Sequence, residues 1–284
     1  MKSLFKKTVT LWAMLGICTF GLNSCNKDSD VPAAISTPLI ETITYYDVNG
    51  KVDGTSSFQY DGLGRQTKQT NDETYYTFEY SGSTITEKDY DISSSDSTEP
   101  KTYTYILNEK GLIISSLQKN TNYSATYEYD NNEYLKYFIA TDGASIIKYT
   151  YTVSDGNRTL IIVNRSSTIK SAMTNGGASF KKIFPLKNRI FESMQQNSLK
   201  STDSAFVTTI QYKFFTDKKN TIDIENQGIS FIGTQDKNPL KEEMVTYSDG
   251  STVTTIYTYE YDGQGRIVKC LDSSGAYTAI TYVK

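Results

Sequence analysis

The sequence predicts an all-β fold, an antiparallel meander of hairpins that forms a single large curved sheet or open barrel. Three observations predict it. Aromatic residues recur two positions apart in several segments, which places their rings on one face of a strand. Turns rich in Asp, Asn and Gly follow these segments closely. Corresponding tyrosines, Tyr80, Tyr105, Tyr129 and Tyr151, are 22 to 25 residues apart, which is the length of one hairpin and its turns.

The first 24 residues predict an export signal. Three lysines in Met1–Lys7 precede an apolar run, Val9–Leu22, that is too short to span a bilayer as a helix. The residues Leu22-Asn23-Ser24-Cys25 resemble a bacterial lipobox, and this resemblance implies cleavage after residue 24 and acylation of Cys25. Two or more acyl chains anchor a protein stably. The alternative is an ordinary secretory leader followed by an incidental cysteine.

Residues 25–36 predict a lipidated tether. The stretch Asn26–Asp30 carries two aspartates, and a short proline-bearing segment follows it. These acidic residues resemble the export tags of surface-exposed lipoproteins in Bacteroidota. The resemblance implies a protein anchored by lipid in the outer membrane and facing outward at the cell surface.

The strands of the predicted domain begin after residue 37. Five segments carry the period-two aromatic pattern, at 76–80, 103–107, 127–129, 149–153 and 257–261. Partner strands follow the turns, at 112–117, 134–140 and 159–163. We expect about ten to fourteen strands, and an open sheet of that size must curl. We also expect the rings of neighbouring strands to point to one shared surface.

The segment Ala172–Thr202 interrupts the strand pattern, and Asn188–Leu199 within it fits either a short helix or a strand. Further strands are predicted at Phe206–Phe215, Thr221–Glu225 and Glu243–Tyr247. No shift in composition marks a second domain. We therefore predict one β-domain over residues 37–284.

Composition excludes several functions. The chain has no histidine, which excludes a histidine-dependent triad and a histidine zinc site. Its formal net charge is −3 with no basic run, so nucleic-acid binding is not expected. If the leader is cleaved and Cys25 is acylated, Cys270 is the one cysteine that remains, which excludes an intrachain disulfide. We expect Cys270 to be a half-buried strand thiol. We predict no cofactor and no metal; Asp47–Gly54 matches a calcium loop poorly because Phe58 stands where the terminal glutamate belongs.

The pattern Tyr-Asp-Gly-x-Gly-Arg occurs at Tyr60–Arg65 and Tyr261–Arg266. These segments resemble the YD repeat of Rhs and teneurin-type proteins. The chain as a whole, with its lipobox, scattered YD-like hairpins and Asn238-Pro239-Leu240, is similar to uncharacterised Bacteroidota lipoproteins with a porin-like, open-barrel domain of unknown function. That resemblance implies the fold and no activity. We expect Arg65 and Arg266 to lie over a tyrosine of a neighbouring strand or to pair with the turn aspartate.

The sequence favours a non-catalytic outer-membrane lipoprotein, a binding or scaffold module that uses one face of a curved sheet. Its partners are the membrane, through the anchor, and a glycan, lipid or protein. The candidate ligand-contacting aromatics are Tyr76, Tyr80, Tyr103, Tyr105, Tyr127, Tyr129, Tyr149, Tyr151, Tyr257 and Tyr259, with a packed core as the alternative role of these rings.

The alternative function is a glycan hydrolase that uses paired strand carboxylates. Glu79, Glu128 and Glu260 are the candidates, because each precedes a tyrosine on the face opposite the rings. The same recurrence is typical of the solvated face of a repeated hairpin, and we therefore predict no catalytic residue and no enzyme activity. An integral outer-membrane barrel also fits the alternation, but it fits a lipid anchor poorly.

Overall fold

The described part of the chain is an antiparallel barrel. The computed structural model describes residues 37–92, 99–167 and 205–284. The sixteen strands in these residues are β1 Ile40–Tyr46, β2 Val52–Tyr60, β3 Gln66–Thr70, β4 Thr74–Ser81, β5 Thr84–Asp91, β6 Lys101–Leu107, β7 Ile113–Gln118, β8 Ser124–Tyr129, β9 Leu135–Thr141, β10 Ser145–Ser154, β11 Asn157–Ser167, β12 Ala205–Phe214, β13 Leu240–Thr246, β14 Thr252–Tyr261, β15 Ile267–Asp272 and β16 Tyr277–Tyr282. Cys25, the leader, the tether and Ala172–Thr202 lie outside the described residues.

Each strand pairs with its neighbours in sequence, and β1 pairs with β16 to close the barrel. Thr42 on β1 lies opposite Thr281 on β16, and their hydroxyl oxygens are 2.8 Å apart. The predicted all-β antiparallel meander is confirmed, and its curvature proceeds to full closure. The strands outnumber the ten to fourteen expected because some carry no aromatic alternation; β5, for example, buries Glu87 and Asp89 where other strands bury rings.

The two Tyr-Asp-Gly-x-Gly-Arg segments form matching turns. The carboxylate of Asp61 accepts backbone N–H bonds from Leu63 and Arg65, both at 2.9 Å, and Arg65 Nε donates to it at 2.7 Å. The Arg65 guanidinium also lies 4.4 Å from the ring centroid of Tyr80. The second copy repeats each of these contacts, with Asp262, Arg266 and the ring of Tyr282. Both expected arginine contacts are therefore present, and the arginines stabilise the turns.

One long connection closes one end of the barrel. Residues 215–239, which we call the cap segment, join β12 to β13, and Phe215 N donates to Pro239 O at their base. Because the strands alternate in direction, the turns at 61–65, 108–112, 130–134 and 155–156 lie at the same end as the cap segment.

Backbone hydrogen bonds fix the cap segment to the surrounding turns. Gly228 O accepts from Gln66 N at 3.0 Å, and Phe231 O accepts from Ile113 N at 2.9 Å. Further along, Lys237 N donates to Gly156 O at 2.9 Å. The cap segment also buries apolar side chains in the barrel core, namely Ile224, Ile229, Phe231 and Ile232. The cap segment is an integral part of the fold and not a surface loop, because its backbone polar groups form hydrogen bonds with the barrel instead of with water.

The predicted strand Thr221–Glu225 is wrong. Asp223 instead caps a short 3-10 helix, Ile224–Gln227, in a capping box, and Gly228 ends the helix with φ +72°. A side chain at residue 228 would place its Cβ 2.6 Å from Gly64 O and 2.7 Å from Gln66 N. Tight backbone approach and a left-handed conformation thus both require glycine at this position.

Candidate binding site in the barrel interior

The ten candidate tyrosines point to the inner face of the barrel. Those of β4, β6, β8 and β10 pack into one aromatic cluster with the cap segment. Phe231 of the cap segment, for example, lies 6.2 Å from the Tyr105 ring and 6.4 Å from the Tyr80 ring, centroid to centroid. The expected shared surface is present, and for these strands it is a packed core.

Several of the inward hydroxyls bond to the barrel itself. Tyr105 donates to Glu87 Oε2 at 2.7 Å, Tyr80 donates to Gln66 O at 2.8 Å, and Tyr259 donates to Leu240 O at 2.7 Å. Burial raises the pKa of Tyr76 to about 12, although its hydroxyl bonds to Thr74. These rings are therefore neutral donors with structural partners at ordinary pH.

A cavity of about 90 Å³ lies between the cap segment and the strand wall. The strand side of the cavity is aromatic, with Tyr212, Phe214, Tyr257 and Tyr259 from β12 and β14. Two of the ten candidate tyrosines, Tyr257 and Tyr259, thus line the cavity. This volume has room for on the order of six waters.

The cap side of the cavity carries most of its polar residues, Asn220, Asp223, Gln227, Asp236 and Asn238. Ile222 and Ile224 of the same segment also line it. The Asp223 carboxylate accepts from Asn220 Nδ2 at 3.0 Å and from the first N–H of the 3-10 helix. Gln227 is only 2% exposed, and its Oε1 has no hydrogen-bond partner among the described residues. A buried carbonyl oxygen without a donor indicates an unfilled bonding position.

A buried ion pair holds the polar side of the cavity in place. Arg158 on β11 donates from Nε to both Asp236 oxygens, at 3.1 and 3.2 Å, and from Nη2 to Oδ2 at 2.9 Å. The backbone N of residue 158 donates to Asp236 Oδ1 at 2.7 Å. Although burial opposes the charge, the attraction of Asp236 prevails and raises the pKa of the Arg158 guanidinium. The pair fixes the cap segment to the β10–β11 hairpin.

Cys270 lines the same cavity from β15, opposite Tyr259 in the register. It is not part of a disulfide and is of intermediate burial, the half-buried strand thiol expected from the sequence. The described residues contain no group of three or more Cys, Asp or Glu arranged to hold a metal ion. In the β1–β2 turn the Asp47 carboxylate accepts the N–H groups of Asn49 and Lys51, a turn-forming role.

The three candidate carboxylates lie on the outer face. Each belongs to a different strand and pairs with a lysine of the adjacent strand: Glu79 with Lys88 at 2.6 Å, Glu128 with Lys136 at 3.2 Å, and Glu260 with Lys269 at 2.8 Å. Their side chains are 60–66% exposed. The arrangement solvates the barrel exterior and forms no enclosed acid pair.

Tyrosines stack in two pairs on the outer face near strand ends, Tyr46 with Tyr277 and Tyr75 with Tyr90, each with ring centroids 4.3 Å apart. Several other apolar residues on the outer face have polar neighbours on both adjacent strands. Ile146, for example, lies between Thr141 on β9 and Ser166 on β11. Leu117 lies likewise between Thr104 and Ser124. Isolated apolar side chains of this kind are ordinary on a water-exposed surface. Among the described residues, no helix has the length and apolar character needed to cross a membrane.

The sequence did not indicate the residues on the cap side of the cavity. Gln227, Asp236 and Asn238 lie in a stretch without period-two alternation, and Arg158 resembles any other strand arginine. One feature of the sequence could have indicated the cap segment. Large apolar residues stand next to glycines at Gly228-Ile229 and Phe231-Ile232-Gly233, which is typical of an irregular segment packed in a core and not of a solvent-exposed loop.

The fold and the cavity together define a sixteen-stranded antiparallel barrel with one end closed by its own cap segment. No family model matches the chain, and no curated protein matches it. Solved structures of porin-like proteins are similar to it, and two of them show the extent of the similarity. One is a porin-like protein from Bacteroides uniformis, with 14% sequence identity, a TM-score of 0.52, and coverage of 85% of this chain and 96% of that chain. The other is a porin-like protein from Bacteroides vulgatus, with 10% identity, a TM-score of 0.55, and coverage of 87% and 99%. The fold is therefore porin-like, as the resemblance implied.

Proposed function

We propose that this protein is a non-catalytic binding module, a barrel tethered to the outer membrane by lipid on Cys25 and standing in water. The observation that carries the proposal is the polarity of the barrel wall. In the middle of the strands Thr, Lys and Glu point outward, and the aromatic side chains there point inward. Outward tyrosines, such as the stacked pairs Tyr46–Tyr277 and Tyr75–Tyr90, lie at strand ends. Outer-membrane-type barrels have the opposite arrangement, an outward apolar band about 25 Å tall between aromatic girdles.

The energetic argument supports the same proposal. Lys88 and Lys269 lie near the middle of β5 and β15 on the outer face. Each would cost about 2–4 kcal/mol at a bilayer midplane. In water these lysines stay hydrated and pair with glutamates of the adjacent strands, so they carry no such desolvation cost. A barrel with this exterior needs a lipid anchor to stay at a membrane, and the lipobox-like residues before Cys25 supply one.

The non-catalytic part of the proposal rests on where the carboxylates lie. Each of the three candidate glutamates is exposed and paired with lysine, whereas a glycosidase needs two facing carboxyl groups about 5–9 Å apart around one bond. We expect no turnover of glycans. Measurable turnover that disappears in Glu79→Gln or Glu260→Gln would contradict this part.

The anchoring part is tested by Cys25→Ser, with Cys18→Ser as the matched control. We expect the wild-type protein and Cys18→Ser to incorporate radiolabelled palmitate and to sediment with membranes. We expect Cys25→Ser to lose the label and to enter the soluble fraction after an alkaline wash. A Cys25→Ser protein that stays in the washed membranes would indicate a barrel that spans the bilayer, against the proposal.

A further inference from the structure

We propose that one side of the barrel, the outer face of the β1–β16 seam near the end opposite the cap segment, rests on the surface of a lipid bilayer. This inference rests on the proposed lipid anchor and names the side of the barrel that meets the membrane. The contact surface, which we call the seam patch, consists of Tyr46, Val48, Val52, Leu271 and Tyr277.

The seam patch is continuous across four strands. Tyr46 on β1 lies opposite both Val52 on β2 and Tyr277 on β16. Tyr277 in turn lies opposite Leu271 on β15. The two tyrosine rings stack, and the aliphatic side chains beside them are exposed, Val48 by 59%, Val52 by 50% and Leu271 by 37%. Because directly opposite side chains lie next to one another on a sheet, these residues form one apolar surface and not scattered single side chains.

The composition of the seam patch is typical of a membrane interface. Tyrosine favours the boundary between hydrocarbon and water, because its ring is apolar and its hydroxyl is polar. Lys269 Nζ lies 4.9 Å from the centroid of the Tyr277 ring, and a lysine there can cover apolar surface with its stem while its ammonium stays in water. Toward the middle of the barrel the next outward pair is Thr44 and Ala279. The apolar surface ends there, so it suits the headgroup region and not the hydrocarbon core.

Charges next to the seam patch are of both signs. Lys51 and Asp53 are its neighbours in the chain, and the Asp47 carboxylate accepts two backbone N–H groups within the β1–β2 turn. Lys269 is paired with Glu260 at 2.8 Å. Neither sign dominates among these residues, which favours a zwitterionic lipid surface over a polyanion or a strongly charged protein.

The predicted tether leads directly into the strand that carries Tyr46. Pro38 precedes β1 and is fixed at the cap end, because its carbonyl accepts from Asn226 Nδ2 at 2.9 Å. From there β1 covers seven residues, about 23 Å. Residues 25–36 can reach at most about 40 Å, which exceeds the length of β1. Acyl chains on Cys25 therefore allow the seam side of the barrel to lie along the bilayer, and the patch adds a second, weaker attachment.

A second copy of the chain is the main competing occupant. A stable protein–protein interface has about 20–30 residues on each side. The seam patch has five and is followed on its inner border by Thr44 and Ala279. It is too small for a stable dimer, whereas a lipid surface needs only a few interfacial side chains when an anchor already holds the protein nearby.

Tryptophan fluorescence tests the contact directly. The single tryptophan of the chain, Trp12, lies in the predicted leader, so the mature protein has none. Val52→Trp places a reporter in the seam patch, and Ile146→Trp on the outer face of β10 is the matched control. The two positions are almost equally exposed, at 50% and 51%, but β10 lies across the barrel from the seam. Each full-length lipoprotein is reconstituted in phosphatidylcholine vesicles with brominated acyl chains, and quenching of the tryptophan emission is measured.

We expect blue-shifted, quenched emission in Val52→Trp and unquenched emission typical of water in Ile146→Trp. Adding Tyr46→Ser and Tyr277→Ser to Val52→Trp should lower the equilibrium constant for contact with lipid about tenfold or more, because two rings lose their place at the interface. Tyr75→Ser with Tyr90→Ser removes the other stacked pair and should leave the quenching unchanged. Replacing half of the phosphatidylcholine with phosphatidylglycerol should not increase the quenching.

Circular dichroism verifies the fold of each variant. Leu271→Ser, a change at an exposed position, replaces the tyrosine double variant if that variant unfolds, and it should lower the quenching in the same direction.

Several outcomes would overturn the inference. They are absence of quenching in Val52→Trp, equal quenching in Val52→Trp and Ile146→Trp, and equal loss of quenching on removal of either tyrosine pair. A blue shift without quenching, together with a dimer in analytical ultracentrifugation, would assign the patch to a second copy instead. The alkaline-wash fractionation of Cys25→Ser measures the anchor separately. An anchored protein without quenching in Val52→Trp therefore contradicts this inference alone, whereas a barrel that spans the bilayer would quench both reporters.

Discussion

Replacing Asp236 with leucine removes the carboxylate that fixes the cap segment to Arg158. Both side chains are almost fully buried, with 6% exposure for Arg158 and 4% for Asp236. The variant leaves a buried guanidinium without its counter-ion, and breaking a buried pair in this way costs about 3–5 kcal/mol. For a domain of this size each kcal/mol lowers Tm by roughly 2–4 °C, so we expect a fall of about 6–20 °C.

The double variant Arg158→Met with Asp236→Leu separates the charge from the packing. Removing both charges should restore much of the lost stability, because no unpaired ion remains buried. A residual loss of about 1–3 kcal/mol is expected, since the backbone N–H of residue 158 loses its bond to Asp236 Oδ1.

The assays are thermal unfolding for Tm and urea unfolding for the free energy, both followed by far-ultraviolet circular dichroism at equal protein concentration for all variants. Glu128→Leu on the outer face is the matched control, because its ion pair with Lys136 is exposed on both sides and should contribute less than about 1 kcal/mol. Asp236→Leu that loses no more than Glu128→Leu, or a double variant less stable than Asp236→Leu, would refute the reasoning.

Three further predictions concern the backbone, the buried tyrosines and the turns. In urea unfolding, Gly228→Ala should lower the free energy of unfolding by about 1–3 kcal/mol more than Gly250→Ala does. Both glycines have positive φ, but only at residue 228 would the new Cβ meet backbone atoms. Equal losses in the two variants would contradict this prediction. Burial raises the pKa of Tyr123 to about 12, so the folded state retains a proton that the unfolded chain loses near pH 10. The stability that this tyrosine contributes below pH 10 should therefore be lost between about pH 10 and pH 12. Tyr123→Phe should make the urea midpoint less sensitive to pH in that range, and an unchanged pH dependence of the midpoint would contradict this prediction. Arg266→Lys should cost about 0.5–2 kcal/mol, because lysine loses the Nε bond to Asp262 and the planar contact with the ring below; a neutral result in the same assay would show that the turn does not depend on the guanidinium.

Much of the barrel was predictable because the inward rings repeat at period two. Tyr103 and Tyr105 on β6, for example, lie on the same buried face and reveal the strand and its orientation from sequence alone. The turn at Asp61 could also be predicted from the sequence, since aspartate, glycine and arginine occupy the positions that the turn geometry requires.

The cap segment and the cavity were not predictable in the same way. Thr221 resembles a strand residue, but its hydroxyl accepts the backbone N–H of Ile267 at 2.8 Å, a contact between residues 46 positions apart. The bonds of Asp236 to Arg158 likewise join positions 78 apart. Such contacts depend on barrel closure, and local periodicity contains no information about which strands meet when a sheet closes.

Closure by β1 and β16 has a consequence for how the chain folds. Thr42 and Thr281 are 239 residues apart, so the seam joins the first strand to the last. Until β16 has been synthesised, the partially assembled sheet has two exposed edges that can pair with other chains. Most pairings join consecutive strands, but the β1–β16 pairing is distant in sequence, so forming the seam is the slow step expected of this topology. A truncation that removes β16 should therefore yield aggregates and not a smaller stable barrel.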